Sequence, residues 1–211
     1  WGRDHSENDG IPPDNSKRTS FGVYPAGGIY DDDQAEGIDS GGGQGLNGAG
    51  IWPIMMNSYV YFMRAESALY LSTTDDARAM LEEGVRNSIS TVMSKLPNPA
   101  SFDNVPNADD VNDYVDTVLT LYDAATSNDE RMAVVGKEYW LAMYGNGVEG
   151  YNLYRRTGTP INLQPTYLGT GGFPRSFLYP NVSVDRNPNI NQKPGLSEQV
   201  FWDNNSAGFI Q

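Results

Sequence analysis

The sequence has no cysteine and a single histidine, His5, among its 211 residues. The first absence removes disulfides, thiolate nucleophiles, Cys-ligated zinc and iron–sulfur clusters together. The second forbids any site that needs two imidazoles, HExxH zinc sites included. A Ser-His-Asp triad would have to use His5, and no Gly-x-Ser-x-Gly surrounds any serine. Positive charge is scarce as well: 14 Lys+Arg face 27 Asp+Glu, for a formal net charge of −13. Binding a phosphate backbone needs a basic face that releases counterions, so nucleic acid is excluded as a partner. Long apolar runs are missing too. The least polar stretch, Ile51 to Met63, is broken by Arg64 and is too short to cross a bilayer. No export signal is present, and a start at Trp1 reads as a fragment or processed piece.

Aromatic residues are plentiful at 11%, beside 23 Gly and 13 Pro. That is too aromatic for a disordered chain and too loop-rich for a simple helical bundle. Residues 1–50 show no sustained period. They carry Pro12-Pro13-Asp14, Pro25-Ala26-Gly27-Gly28, Asp31 to Asp33 and the run Gly41-Gly42-Gly43-Gln44-Gly45, all turn and loop signals. Residues 51–145 read as helical hairpins. The first helix begins near Trp52, with Pro53 in its first position, and continues through Ile54 to Leu71. Its polar residues are so few that burial on most sides is expected. Thr73 with Asp76 offers a capping box for the next helix, which spans Ala77 to Leu96 with apolar steps of three and four and stops at Pro97. A second pair follows: Val111 to Tyr122, then a helix capped by Ser127 and Glu130 and closed near Gly145.

After a short helical piece from Glu149 to Arg155, residues 146–211 turn Pro-, Gly- and Asn-rich. Charge shifts with them: residues 1–150 hold 24 acids and 9 bases, residues 151–211 hold 3 and 5. So long an aperiodic stretch needs a reason to be ordered. Its aromatics, Tyr167, Phe173, Phe177, Tyr179, Phe201 and Trp202, are expected to pin it onto the helices. The expected organisation is one domain portion: a loop region, helical hairpins and a C-terminal wrapping segment.

Candidate chemistry is sparse. Asp31, Asp32 and Asp33, with loop carbonyls nearby, form a candidate calcium site, against the simpler reading of a solvated acidic turn. The EF-hand pattern fails, because Ala35 stands where an Asp or Asn belongs. The Gly41–Gly45 run lacks the Gly-Lys-Ser/Thr of a phosphate loop. Aromatics in loops carry more: a ring with a polar edge stacks on a sugar or a peptide while amides and carboxylates orient it. Trp1, Tyr24 and Tyr30, near Asp4 and His5, are the candidate ligand contacts. Arg155-Arg156 at a helix end is expected to cap carbonyls or to pair with acids from the helical body.

Several strings then converge. Arg3-Asp4-His5, Pro12-Pro13-Asp14 and Tyr24-Pro25-Ala26-Gly27-Gly28 open the chain, and Arg64-Ala65-Glu66 lies in the first helix. Gly145-Asn146-Gly147-Val148-Glu149 leads into Tyr151-Asn152-Leu153-Tyr154-Arg155-Arg156-Thr157-Gly158. Phe173-Pro174-Arg175, Tyr179-Pro180 and Phe201-Trp202-Asp203 come near the end. In this order they resemble the C-terminal part of SusD/RagB-like proteins, nutrient-binding lipoproteins of Bacteroidetes outer membranes. The chain departs from relatives at Ser6, where Gly is usual, and at Arg64, where a smaller residue is usual.

The resemblance implies a mainly α fold of tetratricopeptide-like helical hairpins with long irregular loops, of the α-α superhelix type. It implies a non-enzymatic protein without a cofactor, anchored at the cell surface through a lipid-bearing N-terminal Cys absent from these residues. Its ligand would be an oligosaccharide or a peptide, and its partner a SusC-like TonB-dependent transporter. Two other classes stand beside this: an all-α glycosidase using paired carboxylates, and a structural helical-repeat adaptor with a broad apolar groove.

Overall fold

Helix starts in this protein are set by short polar side chains that satisfy the orphan N–H groups of a first turn. The computed structural model describes residues 52–95, 105–164, 167, 172–206 and 209. Among these lie six helices and no strand: α1 (Asn57–Tyr70), α2 (Ala77–Ser94), α3 (Ala108–Ala124), α4 (Asn128–Ala142), α5 (Gly147–Thr157) and α6 (Asn181–Arg186). Ser127 and Glu130 form the expected reciprocal box at α4. An equivalent box of Asn107 and Asp110 starts α3, three residues earlier than the apolar period indicates. At α2 the expected pairing of Thr73 with Asp76 is replaced: Asp76 is itself the cap, and its carboxylate accepts from the N–H groups of Arg78 and Ala79.

Pro53 does not open α1. The Pro53 and Ile54 carbonyls instead accept from the Asn146 side-chain amide at 2.7 and 3.1 Å, which holds this stretch out of helical pairing. Asn146 also caps α5 through Glu149 N–H, so one amide joins the entry of α1 to the start of α5. Gly145 does not close α4. Met143 is the cap, and Gly145 follows with φ +89°, turning the chain toward α5.

The two hairpins expected from the sequence are present. α1 packs on α2, α3 packs on α4, and α4 sits at the centre, touching α1, α2, α3 and α5. The buried set falls on one face of each helix: Tyr59, Phe62 and Ala65 of α1, Leu81 and Val85 of α2, Val115, Val118, Leu119 and Tyr122 of α3, and Met132, Val135, Tyr139 and Ala142 of α4. Burial of each large side chain contributes about 1.5–3 kcal/mol. Phe62 and Tyr139 stack with ring centroids 5.2 Å apart, and Tyr59 tilts against Tyr139 at 5.7 Å. α1 is narrower in its burial than its composition suggests, since Val60 and Tyr70 face outward. No helix among the described residues is long and apolar enough to cross a membrane.

Among the described residues the core contains one buried acid. Glu138 of α4 accepts a 2.7 Å hydrogen bond from the Tyr114 hydroxyl of α3, and burial pushes its carboxyl above the usual glutamate range. α4 also comes unusually close to the chain after α5. A Cβ on Gly136 would lie 1.8 Å from Thr159 Oγ1. The Thr159–Pro160 peptide bond is cis.

Candidate functional site

α5 is short and strongly amphipathic. It is capped by Asn146 at one end and stopped by Gly158, whose φ of +69° favours a residue without Cβ. Gly150 and Leu153 face the core, while Tyr151 and Tyr154 hold Phe173 between them at centroid distances of 5.4 and 5.3 Å. The Tyr151 hydroxyl donates to Pro174 O, and Arg155 Nη2 donates to Arg175 O. α5 is therefore the seat on which the C-terminal segment lies.

The segment is locked there by Arg175. Its side chain is buried, and its Nε donates to Asp203 Oδ2 at 2.8 Å. Its Nη1 and Nη2 donate to the Ser206 and Asn205 carbonyls. The hydrogen-bonded guanidinium holds the Asp203 carboxyl below the usual aspartate range. Asn205 closes the ring by donating from Nδ2 to Arg155 O at 2.9 Å. Two carbonyls and a carboxylate thus fix residues 203–206 to one buried fork of donors.

This corrects the expectation that aromatics pin the segment. Phe173 does, but Tyr167, Phe177, Tyr179, Phe201 and Trp202 are exposed, Phe201 to 93%. The polar latch secures the segment, and most of its rings are left to solvent. Of the Arg155-Arg156 doublet, Arg156 behaves as expected, pairing with Glu66 of α1 through both carboxylate oxygens, whereas Arg155 donates to the Arg175 carbonyl of the C-terminal segment.

Between α5 and the locked loop lies a cleft of about 500 Å³, lined by Glu149, Asn152, Arg155, Arg156, Trp202, Asp203, Asn204 and Asn205. It combines one large aromatic side chain with amides and balanced charge, a composition suited to binding a polar, non-ionic molecule. A second cavity of about 360 Å³ between α2, α3 and α4 is mostly apolar, with Tyr114 and Glu138 among its lining residues. Asp110, its other acid, is spent on capping α3. Among the described residues no cluster of three His, Asp or Glu side chains could hold a metal ion.

The ligand candidates Trp1, Asp4, His5, Tyr24 and Tyr30 and the acidic triad Asp31, Asp32 and Asp33 lie outside the described residues. Trp202, Asn152 and Asn204 were not picked out as site residues by sequence reasoning. The available signal was an indole in the polar string Trp202-Asp203-Asn204-Asn205, 50 residues from its partners on α5.

Comparison with known proteins gives the family of the chain. No curated protein matches the chain. A solved structure described as Bacteroidetes AC2a SusD-like matches at 20% identity with a TM-score of 0.44, covering 53% of this chain. The chain spans 20% of that structure's length. The SusD-like family, described as Susd and RagB outer membrane lipoprotein, matches residues 44–188, from the glycine run through the hairpins, α5 and α6. With more than half of its residues matched, the chain belongs to the SusD/RagB family of outer-membrane lipoproteins.

Proposed function

We propose that this chain is the C-terminal portion of a single non-catalytic binding domain that captures nutrient oligosaccharides at the outer surface and delivers them to a SusC-like TonB-dependent transporter. In this reading a lipid anchor outside these residues holds the protein to the outer membrane, and the helical hairpins and C-terminal segment carry the binding loops. Trp1, Asp4, His5, Tyr24 and Tyr30 contact the ligand, and Asp31 to Asp33 order their loop around a calcium ion.

The observation that carries the reading is the family match across residues 44–188. The cleft at α5 agrees with it, offering an indole surface and side-chain amides among its lining residues. Modest affinity suits the role, because cargo must be released to the transporter. The experiment is a binding screen of oligosaccharides and peptides on the full-length protein, followed by product analysis. Micromolar to millimolar binding of an oligosaccharide without cleavage is the expected result. Turnover of the bound sugar would replace the reading with a glycosidase, and exclusive peptide binding would change the cargo.

A further inference from the structure

Resting on that nutrient-binding reading, we propose that the cleft between α5 and the 199–206 loop is a subsite for one ring of an uncharged oligosaccharide, with Trp202 as its stacking platform and the amides of Asn152 and Asn204 as partners for its hydroxyls. Trp202 contributes little to packing within the fold. It is 63% exposed, and its ring contact is the edge-to-face pair with Phe201 at 4.5 Å and 88°. A perpendicular pair occupies at most one face of the indole, so the other is open to a sugar face.

The loop that carries the indole is rigidly held. Asp203 and Asn205, the first and third residues after the tryptophan, are held by the buried Arg175 and by Arg155 O. Gln199 Nε2 donates to the Asp203 and Asn205 carbonyls from the other side. The fold spends a buried guanidinium and several backbone carbonyls on a loop whose aromatic rings stay in solvent. A platform fixed in advance loses less entropy on binding.

No described residue hydrogen-bonds the side-chain amide of Asn152 or Asn204, although both line the cleft. Each amide supplies two donors and an acceptor, which matches hydroxyls that both give and receive. The cleft volume of about 500 Å³ lies in the usual range for small-ligand sites.

Charge selects the class of sugar. Arg156 is neutralised by Glu66 and Asp203 by Arg175. Glu149 and Arg155 then balance one another in the cleft, so no net positive charge awaits an acidic sugar. The chain as a whole carries −13 and would repel polyanionic glycans during approach.

The test uses the full-length protein with neutral oligosaccharides and uronate-containing oligosaccharides of matched length, read by calorimetry and by tryptophan fluorescence. Neutral ligands should bind and perturb the fluorescence. Trp202→Ala should weaken binding about tenfold or more, Trp202→Phe should weaken it less, and Asn204→Ala about threefold or more. Trp202→Phe and Asn204→Ala keep the test readable if Trp202→Ala does not fold. Neutral-sugar binding unchanged in all three variants would overturn the subsite and leave the nutrient-binding reading standing. Tighter binding of the uronate set would overturn the uncharged class. Failure of both sets, with peptides bound instead, would remove the glycan reading and this subsite together.

Discussion

Arg156 and Glu66, 90 positions apart in sequence, meet through two parallel hydrogen bonds of 2.8 Å, Nε on one carboxylate oxygen and Nη2 on the other. The pair ties α5 to α1, the first helix to the seat of the C-terminal segment. The Glu66 side chain is 17% exposed and that of Arg156 46%, so the pair is only partly screened by water. Arg156→Ala should therefore cost about 1–2 kcal/mol in denaturant unfolding, below the ~3–5 kcal/mol of a fully buried pair. Arg156→Lys should recover little of this, because an ammonium keeps the charge and loses the fork. Equal stability of the Lys variant and the native protein would show that the geometry does not matter.

Gly136→Ala sets two effects of opposite sign against each other. Alanine is better than glycine inside a helix by about 1 kcal/mol. The new Cβ, however, would lie 1.8 Å from Thr159 Oγ1 and 2.5 Å from Thr159 Cβ. Thr159 is buried, and its hydroxyl is already engaged with Thr157 Oγ1 at 2.7 Å, so it has nowhere cheap to go. Overpacking of this kind costs about 1–3 kcal/mol before the helix gain is returned. The variant should be less stable than the native protein in thermal unfolding. A rise in melting temperature would mean that the α4 contact relaxes freely.

The raised carboxyl of Glu138 makes stability depend on pH in a defined direction. Burial disfavours its charged form, and Tyr114 donates to it without removing that penalty. A group whose folded value lies above its ordinary value of 4.5 contributes fully while protonated. That contribution is lost as pH rises through the folded value. Glu138→Gln keeps an acceptor for Tyr114 and cannot ionise. It should match the native protein near pH 4 and gain on it as pH rises toward 8, measured as the difference in urea midpoints. A difference independent of pH would contradict the assignment. Tyr114→Phe should instead lose about 1–3 kcal/mol at neutral pH, when the buried carboxylate is left without its donor.

The helical hairpins were readable in the sequence because apolar steps of three and four, closed by Ser127 and Glu130, state both the period and the start of a helix. The cap at Asn107 escaped because its box uses Asn with Asp110, a shorter variant of the usual pair. Pro53 misled for a physical reason. Its position permits a helix start, but the carbonyls at 53 and 54 are claimed by Asn146, a contact 93 and 92 positions away that no local pattern encodes. The cleft shares that difficulty. Arg175 reads as part of a loop string, and nothing near it signals that it is buried against Asp203. Exposure of Phe201 and Trp202 runs against the rule that aromatics in an irregular segment are its own core.

The same latch yields a prediction about order rather than global stability. Arg175→Met removes the donors to Asp203, Asn205 and Ser206 while keeping an apolar stem. The segment after Leu196 should then open locally, because its remaining ties to α5 are few. Amide exchange should accelerate at Asn205 and at Arg175 and Ser176, whose N–H groups donate to Leu196 O, while the exchange of α1 to α4 stays unchanged. Asp203 supplies the pH arm of the test. Its carboxyl is held below the ordinary value of 3.8 by Arg175, so its contribution is present above that value and lost as pH falls through the lower, folded one. In acid the native segment should therefore become sensitive to proteolysis before the helices unfold. Asp203→Asn should be more open at neutral pH and should lack this acid step. A native segment that stays protected until the whole protein unfolds would show that its aromatics, not Arg175, hold it in place.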